Sequence, residues 1–457
     1  MLILLLFFIK FRGKLLKKII SILSSVAILI GGYFTYQNLP KIIPYYQQLT
    51  QNHVSINKDL QPITQKKAFF VGSSKCVTCH ADKHQSWSHS QHPKMIQDIK
   101  KDPSVVVADF SKLPKEANFT LKDAIYTVGG KFKQRYMLRK DINGTKDYVL
   151  GNYQWNVQTN KWQKFKPWKY WYKNAYPHDN QKLPTSRACD GCHFTGFMST
   201  QKRVETGIAC ESCHGPASNH ILKPELPIYK ASTSDPIRQN EVCLQCHMRN
   251  RDKRLEDVNI SAIYGDARDY PMGYEAGKAL AKYKTPAPFT IGHETKEFYA
   301  NGAGKKNRTQ GNEFVHSIKG KHGITCINCH NPHTLEPTAK KNTGNKLCMK
   351  CHSFGSMIGP HQNSIEEHTH HKAKSTGSLC VECHMPKTGR HTGKSPLTVR
   401  SHLFGFTTPN ETKKYDMPWK TNACYSCHNS DKTKVKRNMD KLQKDLEEWG
   451  MIGWDKR

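Results

Sequence analysis

The chain has 457 residues, of which only 37% are hydrophobic, and its mean hydropathy is −0.69. So polar a composition argues against a core built mainly from the chain's own large apolar side chains. Lys+Arg 70 against Asp+Glu 37 leaves a formal net charge of +33, which ordinarily points to nucleic acid or an anionic membrane.

The first 40 residues read as a targeting segment. Lys10, Arg12, Lys14, Lys17 and Lys18 precede an apolar run over residues 19–36, long enough at its margin to cross a bilayer. Positive charge ahead of the run places the N-terminus in the cytoplasm. No small-x-small cleavage signal is obvious near its end, so residues 1–40 are expected to be a retained signal-anchor, one N-terminal transmembrane helix in the cytoplasmic membrane. A polar, Gln-rich stalk over 41–68 would then hold the rest of the chain in the periplasm or outside the cell.

At Cys76 the composition finds its explanation. All 16 cysteines fall in C-x-x-C-H pentapeptides, the attachment signature of c-type haem. Cys76 and Cys79 would share one helical turn, where each can form a thioether with a porphyrin vinyl group. His80 then offers an axial imidazole to the iron. Disulfides and zinc ribbons also use paired cysteines, but neither requires a His after every pair. The expected cofactor is haem c, eight copies, covalently held, with porphyrin filling the core. Haem propionates offset part of the positive charge. The remainder reads as a lysine-rich solvated surface or a docking face for acidic redox partners. Attachment of this cofactor outside the cytoplasm agrees with an exported chain.

Between Cys79 and Cys189 lies the only stretch that reads as ordinary protein. Residues 124–138 and 147–157 are rich in Tyr, Val, Ile and Phe and carry turn signals at Gly129-Gly130 and Asn143-Gly144. They predict a small antiparallel β-subdomain over about 120–172. Trp155, Trp162, Trp168, Tyr170, Trp171 and Tyr172 follow, interleaved with lysines. Such a pattern can stack single-stranded nucleic acid; beside haem it reads instead as aromatic packing, and no nucleic-acid partner is expected.

The remaining motifs are Cys189, Cys192, His193; Cys210, Cys213, His214; Cys243, Cys246, His247; Cys326, Cys329, His330; Cys348, Cys351, His352; Cys380, Cys383, His384; and Cys424, Cys427, His428. Their flanks reveal a duplication. Gly207-Ile-Ala-Cys matches Gly323-Ile-Thr-Cys, and Asn240-Glu-Val-Cys matches Asn345-Lys-Leu-Cys, so one pair of sites is used twice. The haem-bearing body is expected over 69–430 and a last helix over 431–457. Val435, Met439, Leu442, Leu446 and Trp449 form one apolar stripe on that helix, suited to docking on the body or to an oligomer contact. The fold class expected is therefore mainly α and irregular, packed around haem, with the small β-subdomain and the N-terminal transmembrane helix.

Non-motif histidines outnumber the iron positions left to fill. An iron held by two imidazoles suits electron transfer, whereas an open sixth position can bind a small molecule. The order and surroundings of the motifs resemble those of the paired-C-x-x-C-H multihaem cytochromes of the c-552/c-554 type, above all octahaem members that often carry a tetratricopeptide tail. The resemblance covers about residues 69–449. It rests on Phe70-Val-Gly-Ser-Ser-Lys-Cys76 with Trp87-x-x-Ser-x-His92, on the Cys210 to His220 and Gly323 to His333 runs, and on His368-Thr-His-His371 before Cys380. Ser401-His402 and Asn422-Ala-Cys424 complete it. The chain ends without the tail, which puts any partner bound through one in doubt. The resemblance implies His92, His220, His316, His371 and His402 as sixth ligands, with His333 and His368 in reserve.

The function expected is electron transfer between a quinol-linked respiratory chain and a periplasmic or extracellular partner. A quinol-oxidising module or other cytochromes would be the redox partners, and no catalytic acid or base is required. The rival is an octahaem oxidoreductase acting on nitrite, hydroxylamine or tetrathionate at an open haem. No motif ends in Lys, unlike the nitrite reductases, and the spacing differs from that of the hydroxylamine oxidoreductases. A conduit that polymerises is a third class, against which the anchor argues.

Overall fold

Strand β1 (Ile96–Asp98) opens a six-stranded antiparallel sheet with β2 (Ala124–Gly129), β3 (Lys133–Ile142), β4 (Thr145–Leu150), β5 (Tyr153–Asn156) and β6 (Lys161–Lys164). The order is β1-β2-β3-β5-β6, with β4 pairing β3 at its far end. The computed structural model describes residues 67–142, 144–165, 184–252, 270–334, 345–356, 359–360, 362–391, 397–429 and 435–448. The expected span over 19–36, most of the stalk, Asn143, Trp168, Tyr170, Trp171, Tyr172 and Trp449 lie outside these residues.

Alternation decides the sheet. Gln134 and Tyr136 of β3 are buried between half-buried Lys133 and Arg135, and the register runs Gly129↔Gln134 to Ala124↔Leu138. Gly129 closes the β2–β3 turn at φ 76°, where an added Cβ would sit 2.8 Å from the Lys133 carbonyl. Phe119, Ala124, Tyr136, Leu138, Val149 and Tyr153 make the buried core of this sheet. Trp162 packs edge-on against Phe110 at 5.2 Å and Trp155 at 5.5 Å, and its indole N–H donates to the Asp109 carbonyl. Those two tryptophans are thus spent on the sheet itself.

Beyond the sheet the chain folds into short helices and turns, joined by three two-stranded ladders. The other apolar cluster among the described residues is small, centred on Tyr299, Ala303 and Met417. Helix 435–448 docks beside Pro409–Lys414, with Met439 and Leu446 buried and Asn410 donating from its backbone to Gln443.

Two expectations are corrected. The class is mixed α/β rather than mainly α: six strands make one sheet, which begins at Ile96 where β1 pairs β2 through Ile96↔Val128. The transmembrane helix, and the membrane-anchored periplasmic placement built on it, are not supported. Among the described residues no helix is long and apolar enough to cross a membrane.

Candidate haem sites

Each motif is held as a single turn that brings its thiols and imidazole together. Cys210–His214 and Cys380–His384 are helical, and Cys243 to His247 ends the helix Pro236–His247. Elsewhere the His amide reaches the carbonyl of the first Cys at 2.9 Å, in His80, His330, His352 and His428. Buried side chains splice these turns to one another. Glu211 accepts from the amides of Val71, Gly72 and Ala217, tying the approach to the first motif to the third. The Asn240 side chain accepts from the Cys326 amide at 2.8 Å, and Asn345 accepts from the Cys380 amide at 2.8 Å. The duplicated Asn seen in the sequence therefore has a physical role: it caps the next motif's turn, satisfying an orphan N–H.

Among the described residues, six motif imidazoles face a second imidazole. The ring centres of His80 and His220 are 6.4 Å apart, His247 and His92 6.5 Å, and His214 and His333 6.4 Å. His330 and His402 are separated by 6.4 Å, His384 and His368 by 6.3 Å, and His428 and His371 by 6.2 Å. Two metal–nitrogen bonds of about 2 Å, plus roughly 1.1 Å from each nitrogen to its ring centre, give about 6.2 Å. Each gap is the size that one iron needs. The second imidazoles are also oriented for it: Nδ1 of His220 bonds to the Leu226 carbonyl, that of His371 to Thr369 and that of His402 to Arg400. This leaves Nε2 free for the gap. Burial pushes His92, His247, His384 and His402 down to about 4, so they are neutral bases at physiological pH, the form a metal binds.

The two reserve histidines, His333 and His368, stand opposite motif imidazoles, whereas no motif imidazole faces His316 among the described residues. Its ring lies flat on Phe289, 4.0 Å away at 3°. His352 is met at Nε2 by the Lys319 ammonium, 2.7 Å away. No second imidazole faces His193 among the described residues. Two arginines lie near it: Arg308 and Arg135 add their charge to burial in holding His193 at about 4. Lys284 is 1% exposed, lies beside Cys192 and Cys246, and donates to the carbonyls of Leu244 and Gln245. Lys133 is close to Arg135 and donates to the His391 carbonyl. These basic side chains carry no motif of their own and only the fold collects them; burial pulls Lys133 down to about 6 and Lys284 to about 7.

Thiols of different motifs meet, which gives the sites a spatial order. Cys76 contacts Cys210, Cys243 contacts Cys326, and Cys348 contacts Cys380. Cys213 lies near Cys243, Cys329 near Cys348 and Cys351, and Cys383 near Cys424 and Cys427. The order is thus 76, 210, 243, 326, 348, 380, 424, and the 189 site joins it sideways through Cys192 and Cys246.

Paired thiols followed by an imidazole, with a second imidazole one iron away, define a covalent haem protein of many centres. Residues 318–356 match the family model for the doubled CXXCH motif, and residues 75–126 and 150–215 match that for cytochrome c554 and c-prime. These matches support a multihaem c-type cytochrome family for the chain. The chain is 28% identical over 163 residues to the multiheme cytochrome MtrA of Shewanella baltica, covering 35% of this chain and 46% of that one. Over 405 residues it is 21% identical to the dissimilatory sulfite reductase MccA of Wolinella succinogenes, covering 69% and 50%. The matched segments span half or less of these curated relatives. The outer cell wall cytochrome OcwA superposes with a TM-score of 0.62 at 25% identity, covering 83% of this chain and 88% of that one.

Proposed function

We propose that the chain holds eight haems, one at each motif, and passes electrons between redox protein partners. The observation that carries this reading is the set of imidazole pairs spaced for one iron each, in sites that follow one another by contact. On this reading the axial pairs are His80/His220, His247/His92, His214/His333, His330/His402, His384/His368 and His428/His371, and His316 is left out. When bound, haem iron supplies reversible one-electron exchange and, where a position is open, a place for a small ligand. The chain's own part is to fix ring orientation through the Nδ1 bonds and to close the irons to other ligands. Mass spectrometry of the intact protein should give eight haem additions, and a lower number refutes the count.

A second reading, an oxidoreductase at the 189 site, draws on one observation: the Arg308 and Arg135 guanidiniums near His193. They suit an anion such as nitrite, sulfite or tetrathionate better than neutral hydroxylamine. Electron paramagnetic resonance of the oxidised protein separates the readings. A high-spin haem that responds to those anions, with matching turnover, favours the enzyme; haems inert to all of them leave electron transfer alone.

A further inference from the structure

Among the described contacts, the 76 motif meets one other, through Cys76 and Cys210, so it stands at an end of the spatial order. The second imidazole of this end site, His220, is carried by the short helix Ser218–Leu222, its ring centre 6.4 Å from that of His80. A helix turns by about 100° per residue, so Ser218 and Leu222 both lie roughly opposite His220, one turn apart on the outer face. Ser218 is buried and pinned to Phe69. Its hydroxyl accepts from the Phe69 amide at 2.9 Å, and its own amide donates to the Phe69 carbonyl at 3.2 Å. Phe69 and Leu222 thus share the side of the helix that turns away from the imidazole gap. Leu222 is 78% exposed and Phe69 65%. Because Leu222 points away from His80, its exposure owes nothing to the space between the two imidazoles. Ile221 is exposed next to it, and two exposed lysines flank the pair in sequence, Lys67 before Phe69 and Lys223 after Leu222.

Solvent-facing apolar side chains gathered in one place, with charge at their rim, mark a contact surface. We propose that this outer face docks a redox protein whose own contact face has an apolar centre and an acidic rim, and that electrons pass between that protein and the His80/His220 site. The acidic character of the partner follows from charge complementarity: Lys67, Lys223 and the formal charge of +33 on the whole chain all attract carboxylates. Electron-transfer encounters are small, below about 1,200 Å² of total buried surface, so a patch of a few large side chains is of the right scale. The partner's centre loses one electron and the His80/His220 site gains it, or the reverse, and no bond is made or broken. The inference rests on the reading that the 76 motif carries haem and that the chain transfers electrons.

Stopped-flow reduction of the oxidised holoprotein by reduced flavodoxin, an acidic one-electron flavoprotein, tests this, with dithionite as a small reductant that needs no docking face. The flavodoxin rate should fall as salt is added. Leu222→Glu and Phe69→Glu set like charge against the acidic rim and should each slow it by about tenfold or more. Their dithionite rates, haem count and low-spin spectra should stay those of the wild type. Ile291→Glu, at another exposed apolar side chain, should slow flavodoxin far less. The docking assignment fails if Leu222→Glu and Ile291→Glu behave alike. A wild-type dimer in sedimentation that Leu222→Glu turns into a monomer also overturns it, by placing a second copy on the patch. A cross-link from Lys223 to Lys41 or Lys58 does the same, by placing the chain's own earlier residues there. Absence of haem on Cys76 and Cys79 in peptide mass spectrometry overturns both the proposal and the reading beneath it.

Discussion

Glu313 shows how one buried carboxylate fixes the position of His402. It is fully buried and accepts from the Gly304 amide at 2.8 Å, the Ser401 hydroxyl at 2.7 Å and the His402 amide at 3.2 Å. Replacing it with Ala leaves three buried donors unmet, at about 1–3 kcal/mol each. Glu313→Ala should lower the denaturation midpoint markedly and disturb the low-spin signal of the His330/His402 pair. Burial also pushes its carboxyl from 4.5 up to about 7. The folded chain then keeps a proton that the unfolded chain gives up. Stability should be greatest below about pH 4.5, fall as the pH climbs towards 7, and level off above, by at most about 1.4 kcal/mol per unit. Glu313→Gln should flatten that profile, as denaturant titrations at stepped pH would show. None of this was legible in the sequence. The cysteines and their histidines announce themselves because haem attachment fixes their spacing, whereas Glu313 meets Ser401 and His402 only through contacts 88 and 89 residues apart.

At the scale of elements, the sheet is fastened to the 189 site by one cation. Arg203 bridges Asp147 of β4 and Asp190, which begins the helix Asp190–His193, and its guanidinium lies over the Tyr148 ring at 4.8 Å. Asp190 is completely buried, and burial pushes its carboxyl up to about 6 even with the arginine beside it. Removing the partner of a buried charge costs about 3–5 kcal/mol. Arg203→Met should therefore destabilise by about that amount, read from denaturant midpoints. It should perturb the His193 haem while leaving the His428/His371 signal unaltered. The strands themselves were legible from alternation and the Gly129 turn, because one face of that sheet is ordinary apolar core. The helices were less so. Most are single turns whose partners are other turns, and Asn240 and Asn345 were visible as a repeated flank without showing which turn each one caps.

For the whole molecule the order of sites in space differs from the order in sequence. The 189 motif comes second along the chain, yet it hangs from the 243 site through Cys192 and Cys246, while Cys76 goes straight to Cys210. Spacing along a chain cannot reveal such an arrangement, because it is created by folds that bring distant turns together. It has a consequence for electron distribution. The 243 site touches three others: Cys213 and Cys326 near Cys243, and Cys192 near Cys246. Among the described contacts, taking it away parts the 76 and 210 sites from those at 326 through 424. In a Cys243→Ala, Cys246→Ala variant, electrons introduced by a brief reductive pulse should redistribute among the haems far more slowly than in the wild type. Removing the end site instead, by Cys424→Ala with Cys427→Ala, should leave redistribution among the others unchanged. Both variants lose one haem, so a general effect of haem loss would slow both alike. If the two behave the same, the junction assigned to the 243 site is wrong.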